Sequence, residues 1–263
     1  MEDNFGIKGF ISTSMVDWPG KISAVVFLAG CGFRCPVCHN HRLVLEPESM
    51  SDYPLEDVLK SLEERRHWID GVTVTGGEPT FRKNLSDLLS LLRQNGVKIK
   101  LDTNGSNPRM LEEIIASGLV DAVFMDVKAP LTFENYSAAA GVPVNPRVIG
   151  RSLKILKSSG LEVVFRTTVV PGLIAEPELV RIVNSLGLVP RFAIQPFRNL
   201  STLDPACSTI EEYSLARLEF MRSCFEIPQP AALQYYQFCV EAVSQVPSAG
   251  NLQCRSGNEA RIV

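Results

Sequence analysis

Residues 22–40 read ISAVVFLAGCGFRCPVCHN, a β-rich apolar run that ends in a loop carrying Cys31, Cys35 and Cys38. A run this uniformly apolar is what a parallel strand buried on both faces requires. The three thiols fall within eight residues, so one loop can wrap a compact metal group, and Gly30 and Gly32 permit the tight turns. Three cysteines on a cubane cluster leave its fourth iron open to a small molecule, whereas an electron-transfer cluster takes four thiolates. Zinc is the competing occupant, with His39 completing a three-cysteine, one-histidine site. Taken singly, each cysteine would also serve as a small buried hydrophobe.

The strand-then-loop register recurs along the chain. Candidate strands cover residues 22–28, 71–75, 97–102, 122–126, 162–170 and 191–195, and helical patterns cover 55–68, 85–95, 108–117, 147–158 and 177–186. Gly71, Gly96, Gly118, Gly160 and Gly187 stand near the helix ends as stop signals. This alternation predicts an α/β fold of parallel strands joined by helical crossovers. Six units are too few for a closed eight-stranded barrel, which leaves an open partial barrel or a doubly wound sheet. In both, function gathers at the C-terminal ends of the strands. The chemically unusual residues fall there: the cysteines after the first run, Gly76-Gly77-Glu78 after the second, Asp102-Thr103-Asn104 after the third, and Asp126 with Lys128 after the fourth. Beyond residue 200 the register fades, so residues 1–200 are expected to form the barrel and 201–263 a C-terminal extension with a helix at 210–224.

Composition narrows the class of partner. With 263 residues and 45% hydrophobic content the chain can bury a full core. Its 26 basic and 29 acidic residues give a net charge of -3, with no global field to attract nucleic acid or an anionic membrane. Residues 1–8 are polar and acidic, without the pattern of a secretion signal, and no apolar run reaches the roughly 18 residues of a membrane span. A cytoplasmic protein is expected. Seven cysteines, an odd count, then point to metal binding or free thiols, with Cys207, Cys224, Cys239 and Cys254 scattered through the last quarter.

The Cys-x-x-x-Cys-x-x-Cys spacing resembles the signature of the radical S-adenosylmethionine superfamily, and Gly76-Gly77-Glu78-Pro79 resembles its glycine-glycine-glutamate motif. Residues 35–40 (CPVCHN), 101–105 (LDTNG), 125–128 (MDVK) and 166–172 (RTTVVPG) resemble the activases of glycyl radical enzymes, with a likeness that runs over about residues 6–199. The nearest groups are the activating proteins of anaerobic ribonucleotide reductase and of pyruvate formate-lyase. The resemblance implies an open partial (β/α)6 barrel with a 4Fe-4S cluster on Cys31, Cys35 and Cys38 as metal ligands and catalytic residues. It further implies reductive cleavage of S-adenosylmethionine, hydrogen abstraction from a glycine of a glycyl radical enzyme, and an electron donor such as flavodoxin or ferredoxin.

On the same ground the cofactor pocket is expected to comprise Val37, Cys38, His39, Gly76, Gly77, Glu78, Asp102, Thr103, Asn104, Asp126, Lys128, Arg166 and Arg198. The resemblance places a monovalent cation at Asp102, Thr103 and Asp126. Two positions depart from the pattern: Val37 stands where an aromatic residue is frequent, and Arg198 lies near where pyruvate formate-lyase activase offers a histidine. Each pocket residue also has an ordinary role, Asp102 and Asp126 as caps, Lys128 as a surface charge, Arg166 in an ion pair. A radical enzyme acting on a nucleoside or pterin would share every motif. A zinc-stabilised binding module would keep the cysteines but has no use for Asp102, Asp126 and Lys128.

Overall fold

The computed structural model describes residues 5–189 and 191–225. Among these residues seven strands form one sheet in chain order: β1 (Ile7–Ser14), β2 (Ser23–Leu28), β3 (Gly71–Gly76), β4 (Lys98–Thr103), β5 (Ala122–Asp126), β6 (Glu162–Val169) and β7 (Phe192–Pro196). Strands β2 to β7 are parallel and β1 pairs antiparallel with β2, so the edges are β1 and β7 and the sheet stays open. The helices are α1 (His41–Leu45), α2 (Leu55–Arg65), α3 (Leu85–Arg93), α4 (Pro108–Ala116), α5 (Phe133–Ala140), α6 (Pro146–Lys157), α7 (Glu176–Leu186) and α8 (Leu215–Phe225).

All six candidate strands are present, and the open α/β partial barrel is borne out. Four features differ from expectation. Helix α1 went unrecognised because it has only five residues. Gly71 stops no helix and instead opens β3. Strand β1 went unrecognised because it is an edge strand with two register breaks, and only its first residue is fully buried. Helix α5 went unrecognised because it is short and buries only Tyr136 and Ala140, although Thr132 caps its start and Gly141 its end. The expected C-terminal extension is described only as far as Phe225, as a short turn at Pro205–Thr209 and α8; the rest, with Cys239 and Cys254, lies outside the described residues.

The sheet has two different faces. One packs under the helices through a large core that includes Val26, Val74, Leu101, Val123, Met125, Phe165 and Ile194. The inner face carries a smaller apolar cluster of Trp18, Ala122, Phe124 and Val164, with Ala193 against it. Trp18, in the β1–β2 connection, is 0% exposed. Its indole N–H donates to Glu162 at 3.4 Å, and Lys21 pairs with the same carboxylate at 2.8 Å. Trp18 therefore closes the end of the barrel where β6 begins, leaving the opposite end, at the strand C-termini, for the site. Trp18→Ala should cost about 3–5 kcal/mol, the range for a fully buried large aromatic, as read by urea denaturation.

Candidate active site

The cysteine loop leaves β2 and is held by its main chain. Gly30 N–H donates to Leu43 O (2.8 Å), Arg34 N–H to Ala140 O (2.7 Å), and Asp204 N–H to Pro36 O (2.9 Å). Cys31, Cys35 and Cys38 are free thiols that line one cavity of about 250 Å³ at the strand C-termini. Burial raises all three thiol pKa values, that of Cys31 to about 12, with Lys128 drawing them back down. The Cys31 sulfur accepts from Phe33 N–H (3.3 Å) and from the Asn104 amide (3.6 Å). His39 does not complete a zinc set: its Nε2 is 2.5 Å from Arg198 O and its ring stacks on Phe197. Among the described residues no three metal-binding side chains converge on a single ion, whereas in a cubane each thiolate takes its own iron.

The Gly76–Gly77 turn continues the β2–β3 ladder beyond both strands. Gly77 N–H donates to Leu28 O and Glu78 N–H to Gly30 O, each at 2.8 Å. A Cβ on either glycine would collide with the backbone of Leu28 or Gly30, and Gly76 holds φ +120°. Glu78, 1% exposed, then turns its carboxylate inward. Its oxygens accept from Thr80 N–H (3.1 Å), the Thr80 hydroxyl (2.5 Å), the Thr103 hydroxyl (2.7 Å) and Asn104 N–H (2.6 Å). Burial raises its pKa, and these donors offset part of that rise. Glu78 thus joins the end of β3 to the end of β4, and its carboxylate is saturated by protein.

Below the thiols lies a charged floor. Asp102 on β4, Asp126 on β5 and Arg166 on β6 extend from adjacent strands, so alternate residues of each face inward. Arg166 donates to Asp126 at 2.8–2.9 Å and reaches Asp102 at 3.5 Å; Lys128 donates to Asp126 at 3.0 Å. Lys100, one inward position below Asp102, donates to Asp102 and stands 4.5 Å over the Phe124 ring. Burial alone would raise the Asp126 carboxyl, but Arg166 and Lys128 outweigh it and hold the group at about 2. Burial opposes the Lys128 charge, and Asp126 more than reverses that effect.

Of the residues expected in the pocket, Val37, Cys38, His39, Gly76, Gly77, Glu78, Asp102, Thr103, Asn104, Asp126, Lys128 and Arg166 line this cavity. Arg198 does not: its guanidinium is 61% exposed and pairs with Glu212 at 2.7 Å, so its expected place in the pocket is corrected. The aromatic departure at Val37 leaves an aliphatic wall shared with Val170, Leu173 and Ile174. Sequence reasoning missed Lys100, which reads as a solvent-facing lysine. It also missed Asn40, whose amide donates to Gly76 O at 2.7 Å, and Gly141, where a Cβ would strike Arg34 O. A lysine two residues before an aspartate in a strand buried on both faces was the available signal for Lys100.

Residues 25–181 match the Radical SAM superfamily. The chain is 30% identical over 208 residues to the pyruvate formate-lyase-activating enzyme of Clostridium pasteurianum, an alignment that covers 74% of this chain and 82% of that one. It is 29% identical over 204 residues to a Methanocaldococcus jannaschii protein named as a glycyl-radical enzyme activating enzyme, covering 75% and 82%. The structure of Streptococcus suis SuiB bound to the precursor peptide SuiA superposes with a TM-score of 0.59 at 16% identity, over 84% of this chain and 46% of SuiB, a likeness of fold. The chain belongs to the radical SAM superfamily, enzymes that use a 4Fe-4S cluster and S-adenosylmethionine. Three free thiols on one cavity wall, with the His39 Nε2 engaged by Arg198 O, fit that cluster.

Two outcomes test this geometry. Gly141→Ala, remote from the cysteines in sequence, should displace Arg34 and lower the iron bound after anaerobic reconstitution, while Gly160→Ala, at a helix end in open space, should load iron normally. Asp126→Asn should cost about 2–3 kcal/mol at pH 7, below the about 3–5 kcal/mol of a sealed pair because the carboxylate borders the cavity. A carboxyl held at about 2 contributes stability that is complete above its unfolded pKa near 4 and lost as pH falls through 2. The gap between wild type and variant in urea should therefore close below about pH 4.

Proposed function

We propose that the chain activates a glycyl radical enzyme, the anaerobic ribonucleotide reductase, by taking a hydrogen atom from a backbone glycine, with flavodoxin or ferredoxin as electron donor. The observation that carries this reading is one cavity bordered by the three thiols, the Gly76–Glu78 turn and the Asp102–Arg166–Asp126–Lys128 floor. Its support is that relatives spanned to 82% of their length are named as activating enzymes. In this reading Cys31, Cys35 and Cys38 hold the cluster, which together with S-adenosylmethionine supplies one-electron cleavage of a sulfonium.

The chain's own residues bind, orient and exclude. Lys128 and Arg166 offer positive charge to a carboxylate, and the Gly76–Gly77 backbone offers polar atoms to an amino group. Val37, Val170, Leu173 and Ile174 give the adenine an aliphatic wall. Glu78 acts through Thr103 and Asn104, whose positions its hydrogen bonds fix. Trp18 blocks the far end of the barrel, so a partner's glycine loop has to enter at the strand C-termini or through the open side between β1 and β7.

The test mixes the reduced, reconstituted protein, S-adenosylmethionine and the candidate reductase without oxygen and records electron paramagnetic resonance. A glycyl doublet on the reductase is expected, absent with Cys31→Ala and absent when the loop glycine becomes alanine. Rapid cofactor turnover that modifies a small metabolite and leaves no protein radical would overturn the assignment.

A further inference from the structure

Lys100 is the only lysine or arginine among the described residues that is fully buried. Its ammonium has one carboxylate partner, Asp102, and rests on the Phe124 ring, which Arg166 also faces from 5.6 Å. Among the side chains in direct ionic contact, Lys100, Arg166 and Lys128 stand against Asp102 and Asp126, an excess of one positive charge within that floor, with the Asp17 carboxylate acting on Lys100 from outside it and Glu78 held apart by its own hydrogen bonds. The resemblance in sequence places a monovalent cation at Asp102, Thr103 and Asp126. In this structure each of those three groups already has partners, Asp102 through Oδ1 alone. Asp102 Oδ1 serves Lys100 and Arg166, and Asp126 serves Arg166 and Lys128. The Thr103 hydroxyl donates to Glu78 and accepts from Gly105 N–H at 3.1 Å.

Resting on the reading that this cavity takes S-adenosylmethionine, we infer that Lys100 is a built-in cation. It neutralises Asp102 from inside the barrel, so the cofactor's carboxylate binds without sodium or potassium. The physical reason is charge balance in a poorly screened interior. A metal cation added to a floor that already carries surplus positive charge is repelled, whereas a carboxylate is attracted. Removing Lys100 brings the floor to zero, and a small cation at the freed Asp102 oxygen would restore the surplus. Lys100 is a positioning residue, since it reaches the cofactor only through Asp102 and Arg166.

The experiment measures equilibrium binding of S-adenosylmethionine to the full, anaerobically reconstituted chain in potassium, sodium or tetramethylammonium chloride, the last being too bulky to coordinate. Wild type should bind equally in all three. Lys100→Met should bind at least about tenfold more weakly in tetramethylammonium, the effect of one unbalanced charge in a partly buried site, and should recover in sodium or potassium. Lys100→Met combined with Asp102→Asn should show no rescue by sodium or potassium, because the oxygen that would take the cation is gone, and Lys100→Arg should stay insensitive to salt. Binding by the wild type that requires sodium or potassium would overturn the inference, as would full-strength binding by Lys100→Met in tetramethylammonium. If Lys100→Met fails to load iron, the response of the wild type decides alone. A wild type that binds no cofactor in any salt would instead sink the reading of the cavity.

Discussion

Two backbone hydrogen bonds, from Gly77 N–H to Leu28 O and from Glu78 N–H to Gly30 O, set the distance between the cysteine loop and everything opposite it. They prolong a parallel ladder past the point where both chains turn away, and only residues without a Cβ allow that approach. Once Glu78 is placed there, its carboxylate can reach Thr103 and Asn104 on the next strand. Asn104 in turn reaches back to the Cys31 sulfur. Loop, turn and strand end are thereby closed into one circuit of hydrogen bonds, and a displacement of any member strains the other two.

The interior of this barrel is organised by charge to a degree that aliphatic packing alone would not require. Ala122, Phe124 and Val164 with Trp18 seal its lower part, and directly above them ionised groups alternate in sign across three strands. Such an array survives out of water because each carboxylate has two cationic partners and Phe124 offers its ring face to two of the cations. The same low screening that makes an unpaired charge costly makes the array an effective anchor for a charged ligand.

What could be read from the sequence follows from which physical signals are local. The parallel strands are short runs rich in apolar and β-branched residues, and most of the site residues sit where those runs end, so both were legible. Strand β1 was not, because an edge strand with breaks in its register carries a weak pattern. Lys100 was not, because a lysine beside Ile99 reads as a surface residue until both faces of β4 are known to be buried. Gly141 was not, because its role depends on Arg34, a contact that exists only after folding. Arg198 is expected at the pocket only from the resemblance, and the Glu212 carboxylate, a contact made in the fold, holds its guanidinium elsewhere.

The tethers on the cysteine loop run from main chain to main chain, at Gly30, Arg34 and Pro36, onto Leu43, Ala140 and Asp204. A shape fixed in this way is indifferent to most of the side chains it carries. Substitution at Val37, which lines the cavity, can change that lining without changing the path of the loop. The loop is in that sense an evolvable chassis: drift can retune its inner surface while the spacing of the thiols stays constant.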